Sequence, residues 1–299
     1  MKVAAVVVTF NRRQLLEKTL ESLESQERPV DHIIVINNAS TDDTEQFLEN
    51  RKFSVPYTIQ TLDTNTGGAG GFHTGVDLGY SMGFDAFWLM DDDTVPLPGA
   101  LGPLVRDLDD AKERLGFLPS FACSLVLYHG DGSVCEMNIP VPSWDFARPQ
   151  ALGAEYVLAK SCSFVSCLVT RDAVHEVGLP PSNFFIWYDD AEYTQRLSKY
   201  RPGIYVSDSK VNHLIPQNRG VNWGDVNKKN FWKFNHGARN QIASAVEFRS
   251  PTIAAGLAEN MIKQWRGSGV PWRLRMKLVF SAIRGLFFKV EKKPAGTKH

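Results

Sequence analysis

Four short apolar runs, separated by stretches of helical spacing, set out the first ninety or so positions of the chain. Residues 3–10 (VAAVVVTF) are continuously apolar and rich in β-branched side chains, the pattern of a strand covered on both faces. After Asn11, Leu15, Leu16, Leu20 and Leu23 recur near helical spacing. Residues 33–36 read as a second buried strand, followed by a polar segment in which Ser40 or Thr41 can cap a helix with acids in its first turn. Residues 57–62 read as a third strand, residues 65–71 as a glycine-rich loop, residues 76–82 as a helix and residues 86–90 as a fourth strand. Strands and helices alternating at this spacing predict an α/β fold, a mostly parallel Rossmann-like sheet flanked by crossover helices. Such sheets bind ligands beyond the carboxyl ends of their strands. The polar segments 9–12, 37–43, 65–71 and 91–93 all fall at that edge.

The pattern then loosens. Residues 101–115 are helical in spacing, 117–127 mixed, and 131–149 a Gly- and Pro-containing excursion. A strand is expected over 163–170 and a short helix over 172–177. Aromatics at 184–188 lead into an acidic helix start, where carboxylates meet the positive end of the helix. Residues 204–214 alternate as a strand and finish at His213. From about residue 222 the chain reads as aromatic, amphipathic helix. The predicted division is a catalytic unit over 1–220 and a helical C-terminal region over 221–299, with a basic amphipathic tail at 271–299. No internal repeat stands out.

Charge changes this picture only at the end of the chain. Lys plus Arg equals Asp plus Glu at 33 each, so no bulk field points to nucleic acid. Beyond residue 272, eight Lys and Arg face one acid, Glu291. Residues 271–290 mix bulky apolar side chains with Arg and Lys, which suits either a helix packed on the domain with snorkelling bases or an interfacial helix on anionic lipid. The four cysteines lack a CxxC pair and point to a reducing compartment. The N-terminus does not read as a signal peptide, and no apolar run reaches membrane-spanning length. The expectation is a cytoplasmic protein; under the second reading of its tail it also touches the inner face of the cell membrane.

Candidate chemistry centres on Asp91-Asp92-Asp93, three adjacent carboxylates at the end of an apolar strand. They could form a solvated acidic turn. The alternative is a hard divalent cation, because desolvated like charges are costly without one. Asp91 and Asp93, alternating as they leave the strand, can face one way. With His213 they would form an oxygen-and-imidazole set suited to Mn²⁺ or Mg²⁺. Asp189, Asp190 and Glu192 can simply cap a helix; a carboxylate beside Trp187 and Tyr188 can also be desolvated into a general base. The dinucleotide fingerprint needs its glycines after the first strand, where Thr9-Phe10-Asn11-Arg12 stands instead.

Taken together, Val8-Thr9-Phe10-Asn11-Arg12, Asn38-Ala39-Ser40-Thr41-Asp42-Asp43-Thr44, Asn65-x-Gly-Gly-Ala-Gly-Gly, the Asp triplet, Trp187-Tyr188-Asp189-Asp190-Ala191-Glu192 and Asn212-His213 resemble, in order, the inverting glycosyltransferases of family 2 with the GT-A fold. Within that family the chain is most similar to bacterial galactofuranosyltransferases, with rhamnosyltransferases close. The resemblance implies that Thr9, Phe10 and Arg12 line a uracil or thymine pocket with Asn38 and Asp42 nearby. Asn65, Gly67, Gly68 and Gly71 would pass beside the nucleotide and donor sugar. Asp91, Asp93 and His213 would hold the metal, with Asp92 among the substrate-binding residues. Asp190 would be the base, with Asp189 and Glu192 orienting substrate. Trp187 would lie on the acceptor side, although it stands one residue earlier than the family's tryptophan.

The implied partners are a UDP- or dTDP-sugar and a glycan or lipid-linked acceptor in cell-surface polysaccharide synthesis. Galactofuranose from UDP-galactofuranose is the expected donor. A rhamnosyltransferase using dTDP-rhamnose and a non-catalytic carbohydrate-binding protein are the alternatives.

Overall fold

The computed structural model describes residues 1–296. In chain order its elements are β1 (Val3–Thr9), α1 (Arg13–Glu24), β2 (His32–Asn37), α2 (Thr44–Asn50), β3 (Tyr57–Thr61), α3 (Gly67–Ser81), β4 (Ala86–Asp91), β5 (Thr94–Pro96), α4 (Leu101–Leu115) and β6 (Phe121–Tyr128). They continue with β7 (Val141–Pro142), α5 (Arg148–Ala151), β8 (Val157–Ser161), β9 (Cys167–Thr170), α6 (Arg171–Val177), α7 (Asp189–Tyr200), β10 (Gly203–His213), α8 (Phe231–Glu247), α9 (Pro251–Trp265) and α10 (Trp272–Gly285).

One sheet runs β3-β2-β1-β4-β9-β6-β10-β8-β7, with β5 pairing β10 off this path. The block β3-β2-β1-β4 is parallel, and so is β6 with β10. β9 is inserted antiparallel between β4 and β6. Alternate residues of the first strands serve two cores. Ala5, Val7, Ile33, Val35, Trp88 and Met90 pack with leucines of α1 and α4, whereas Val6, Val8, Ile34, Ile36, Phe87 and Leu89 pack with α3 and α7. A third cluster joins Trp223, Phe234, Ile242, Leu257, Met261 and Leu278 among the last three helices.

Three departures from the sequence pattern shape the site. First, residues 67–71 are not a loop. They open α3, which starts at Gly67 rather than near Val76. A Cβ at Gly71 or Gly75 would run into Val8 or Val6, and one at Gly79 would lie 2.9 Å from Phe87. These glycines let a helix lie flat on the sheet. Second, Pro96 belongs to a further short strand after the Asp triplet. It sits in β5 opposite Val211, a short off-path strand where the missing N–H is tolerated. Third, β8 and β7 build an unanticipated antiparallel edge beyond β10, and the strand expected over 163–170 is confined to Cys167–Thr170.

The β5–β10 pairing carries the functional consequence. His213 is opposite Thr94, and Leu214 N–H donates to the Asp93 carbonyl at 2.9 Å. The late histidine is thereby fixed beside the early acids.

Candidate active site

The carboxyl ends of β1, β2 and β4 are cross-tied into one edge. Asn38 N–H donates to the Thr9 carbonyl at 2.9 Å, and the Asn38 side chain takes Thr66 N–H at 2.9 Å while donating to the Gly67 carbonyl at 2.9 Å. Asn65 Oδ1 accepts from Gly67 N–H at 2.8 Å, and Asp42 Oδ1 from Thr44 N–H at 3.1 Å, so both serve the starts of helices. Gly67 has φ +73 and lies against the Phe185 carbonyl, where a side chain would not fit. A Cβ at Gly68 would meet nothing nearer than the Phe72 ring at 4.0 Å, so the first turn of α3 is open there. Phe10 is 39% exposed.

The three aspartates divide their tasks. Asp92 is buried and its oxygens are taken: Thr9 Oγ1 donates to Oδ2 at 2.8 Å, Phe10 N–H reaches the same oxygen at 3.4 Å, and Arg12 Nη1 reaches Oδ1 at 3.2 Å. Asp92 and Thr9 therefore brace the loop after β1, a structural occupation the sequence pattern did not separate from substrate contact. Arg12 Nη1 also lies 2.7 Å from Asp93 Oδ2. Burial raises the Asp92 carboxyl to about 6 even against the Arg12 charge. Burial and then the charges of Asp93 and Asp92 push Asp91 well above the usual carboxylate range. Burial acts on Asp93 the same way, yet contacts with His213 and Arg12 outweigh it and hold that group low.

Asp93 Oδ1 is the atom that asks for a ligand. It is buried with no hydrogen-bond partner, and His213 Nε2 stands 3.3 Å away outside hydrogen-bonding geometry. His213 Nδ1 donates to Asn138 Oδ1 at 2.9 Å, and Asn138 Nδ2 donates to Ser163 Oγ at 2.8 Å, so the ring is held with Nε2 turned to Asp93. An imidazole nitrogen and a carboxylate oxygen facing each other at this distance suit two ligands of one cation. The expected three-residue set does not close, however. Among the described residues no three His, Cys, Asp or Glu side chains converge enough to hold a metal by themselves. Arg12 occupies the other Asp93 oxygen, and Mg²⁺-type sites characteristically take the rest of their shell from phosphates and water.

The wall opposite is the segment before α7. Phe185, Trp187 and Tyr188 all have positive φ, a concentration of backbone strain typical of functional loops. Asn240 of α8 donates to the carbonyls of Phe184, Ile186 and Trp187 at 2.9–3.0 Å, and Arg239 to those of Asn183 and Phe184 at 3.2 and 3.1 Å. The Phe185 carbonyl accepts from Ala69 N–H at 3.2 Å, which seats this segment on the first turn of α3. Asp189 follows, buried, with its carboxyl raised to about 8 by burial and by Asp190, and its charge reaches Asp91. Asp190 accepts from Ala191 N–H at 2.6 Å, and burial raises it to about 6.

Two expected members of this wall have other partners. Glu192 is fully buried and both its oxygens bind Arg196, at 2.9 and 3.1 Å, a pairing within the fold. Trp187 packs edge-on against Phe234, with rings 5.1 Å apart, and lies over Gly237. Asn138, Asn240 and Lys233 were not anticipated. Lys233, at the start of α8, is half-buried, and burial together with the Arg12 charge lowers its pKa. Only Asn240 had a sequence signal, a polar residue on the apolar face of an amphipathic helix.

A parallel half joined to a mixed half, with acids and an imidazole meeting at the strand ends, is the fold of GT-A glycosyltransferases. Two solved structures share it: GalNAc-T7 with UDP, GalNAc and Mn²⁺ (TM-score 0.58, 12% identity, 82% of this chain and 47% of that one) and S. aureus TarS 1–349 in complex with UDP (TM-score 0.53, 15% identity, 85% and 72%). Residues 4–129 match the family model for Glycosyl transferase family 2. It is 35% identical over 131 residues to galactofuranosyltransferase GlfT1 of Mycolicibacterium smegmatis, covering 38% of this chain and 42% of that protein. It is 33% identical over 167 residues to the GalNAc(5)-diNAcBac-PP-undecaprenol beta-1,3-glucosyltransferase of Campylobacter jejuni, covering 53% and 52%. These alignments span about half or less of the relatives' length.

Proposed function

We propose that the protein is an inverting glycosyltransferase that uses Mn²⁺ or Mg²⁺ to transfer galactofuranose from UDP-galactofuranose to a hydroxyl of a glycan or lipid-linked glycan in cell-surface polysaccharide synthesis. The observation that carries this reading is the unpartnered Asp93 Oδ1 facing His213 Nε2 at 3.3 Å. Support for the donor comes from the likeness to GlfT1.

In this reading Asp93 and His213 hold the cation with Asp91 beside them. When bound, it would neutralise charge on the donor diphosphate. Phe10 stacks on the base at the sheet edge. Arg12 and Lys233 add positive charge for the departing diphosphate. Asp190, with a pKa of about 6, is ionised at neutral pH and close to the value that suits a general base. It takes the proton of the acceptor hydroxyl, whose oxygen attacks the anomeric carbon opposite the diphosphate. The new glycosidic bond forms as the bond to the diphosphate breaks, and the configuration inverts.

The test is release of nucleotide from a panel of UDP-galactofuranose, UDP-glucose and dTDP-rhamnose, with Mn²⁺ or with chelator. UDP-glucose belongs in the panel because the Campylobacter relative is named a glucosyltransferase. Metal-dependent turnover of UDP-galactofuranose above the others is expected. Preference for another donor would overturn the sugar, and no turnover of any donor would favour the non-catalytic alternative.

A further inference from the structure

We propose that the outward face of α10 is a docking surface for an anionic phospholipid bilayer. The tail does not behave as one amphipathic unit. Its helix is Trp272–Gly285, and the residues after it return across the body of the protein. Val290 is buried, Leu179 N–H donates to the Lys293 carbonyl at 2.9 Å, and Gly296 N–H donates to Asp77 Oδ1 at 2.8 Å. Residues 297–299, including the basic Lys298, lie outside the described residues.

The helix has two apolar faces. Leu278, Ser281 and Gly285 are buried, with Gly285 pressed against the Arg239 carbonyl and Ile242 of α8. On the other side Trp272, Met276, Phe280 and Ile283 are 69%, 56%, 62% and 49% exposed, and just past the helix Leu286 and Phe287 are 53% and 86% exposed. At 3.6 residues per turn these side chains share an arc of about 120°. Arg273, Lys277 and Arg284 fall together along one border of that arc, and the helix contains no acid.

This charge pattern decides the occupant. A second copy of the chain, paired face to face about a two-fold axis, would bring basic borders together if antiparallel and set each against an acid-free helix if parallel, with no acid on either helix to meet them. An anionic bilayer satisfies both features: its acyl region takes the aromatic and aliphatic stripe, and its phosphates take the Arg and Lys border. Through Arg239 and Asn240, the helix beneath this face also braces the loop before Asp190. A membrane-held acceptor would then meet a loop anchored to the docked face.

The experiment is cosedimentation of the full chain with vesicles of phosphatidylcholine alone and of phosphatidylcholine mixed with phosphatidylglycerol, at low and high salt. The wild type is expected to bind the mixed vesicles, and less at high salt. F280S/F287S should weaken binding by about 100-fold, about tenfold per ring withdrawn. R273Q/K277Q/R284Q should weaken it by about 100-fold, roughly fivefold per charge. Both variants should keep the wild-type circular dichroism melt and soluble UDP-sugar hydrolysis, which separates this result from any failure of the transferase reading. The proposal falls if the wild type stays in the supernatant with the mixed vesicles, or if both variants bind them as the wild type does. It also falls if the wild type is a dimer that F280S/F287S converts to monomer and that binds no vesicle.

Discussion

Replacing Glu192 by alanine separates a structural carboxylate from a substrate-binding one. The Glu192 side chain is 0% exposed and that of Arg196 8%, and the two meet through paired N–H···O bonds of 2.9 and 3.1 Å. Arg196 also donates to the carbonyls of Val177 at 2.6 Å and Leu179 at 2.9 Å, so the pair fastens α7 to the turn after α6. Glu192→Ala leaves a buried guanidinium with two carbonyls and no counter-charge. Breaking a buried pair in this way costs about 3–5 kcal/mol. At roughly 2–4 °C per kcal/mol for a protein of this order of size, the melting point should fall by about 10 °C. Glu192→Met with Arg196→Met removes both charges and leaves chiefly two carbonyls unsatisfied, at about 1 kcal/mol each. The double variant should therefore be more stable than the single one. Urea unfolding followed by circular dichroism measures the stabilities, and UDP-sugar hydrolysis below the transition gives KM, expected to stay at the wild-type value. A Glu192→Ala protein as stable as wild type but with KM raised tenfold would refute this reasoning and return Glu192 to the substrate.

Three further outcomes follow from the site. Asp190→Asn should lower turnover by about 10²–10⁴-fold, and the wild-type rate should climb as pH rises through about 6, where the base ionises; a flat profile from pH 5 to 8 (roughly one unit below to two above that pKa) would exclude Asp190 as the base. Asn138→Ala frees the His213 ring and should weaken Mn²⁺ binding by about 10–100-fold in calorimetry; unchanged affinity would remove Asn138 from the site. Asp189 has its folded-state pKa raised to about 8, so its ionisation opposes folding increasingly as pH climbs from the unfolded value toward 8. Asp189→Asn should accordingly raise the unfolding midpoint at pH 8 and leave it unchanged near pH 4, and equal effects at both would contradict the assigned shift.

The parallel half of the sheet was legible because strands covered on both faces have to be continuously apolar, as residues 3–8 and 86–90 are. The beginning of α3 was not. Four of its first five residues are glycines, which suit a loop by propensity, and only contacts with Val8, Val6 and Phe87 explain a helix there. The meeting of Asp93 and His213 was readable as chemistry, since hard acids and an imidazole suit one cation, but the β5–β10 ladder that brings them together was hidden behind Pro96. Asn138 lies in the excursion over 131–149, where no periodicity marks a functional side chain. Asp92 and Glu192 carried the same signal as their neighbours. What distinguishes them is the presence of Thr9, Arg12 and Arg196, partners that only the fold supplies.

The central claim is that Asp93 and His213 share one divalent cation with a nucleotide diphosphate. Electron paramagnetic resonance of Mn²⁺ titrated with the protein and UDP tests it without requiring turnover. The wild type should bind Mn²⁺ when UDP is present, and Asp93→Asn and His213→Ala should each weaken that binding by at least about 100-fold. Mn²⁺ and UDP bound as tightly by both variants as by the wild type would contradict the account.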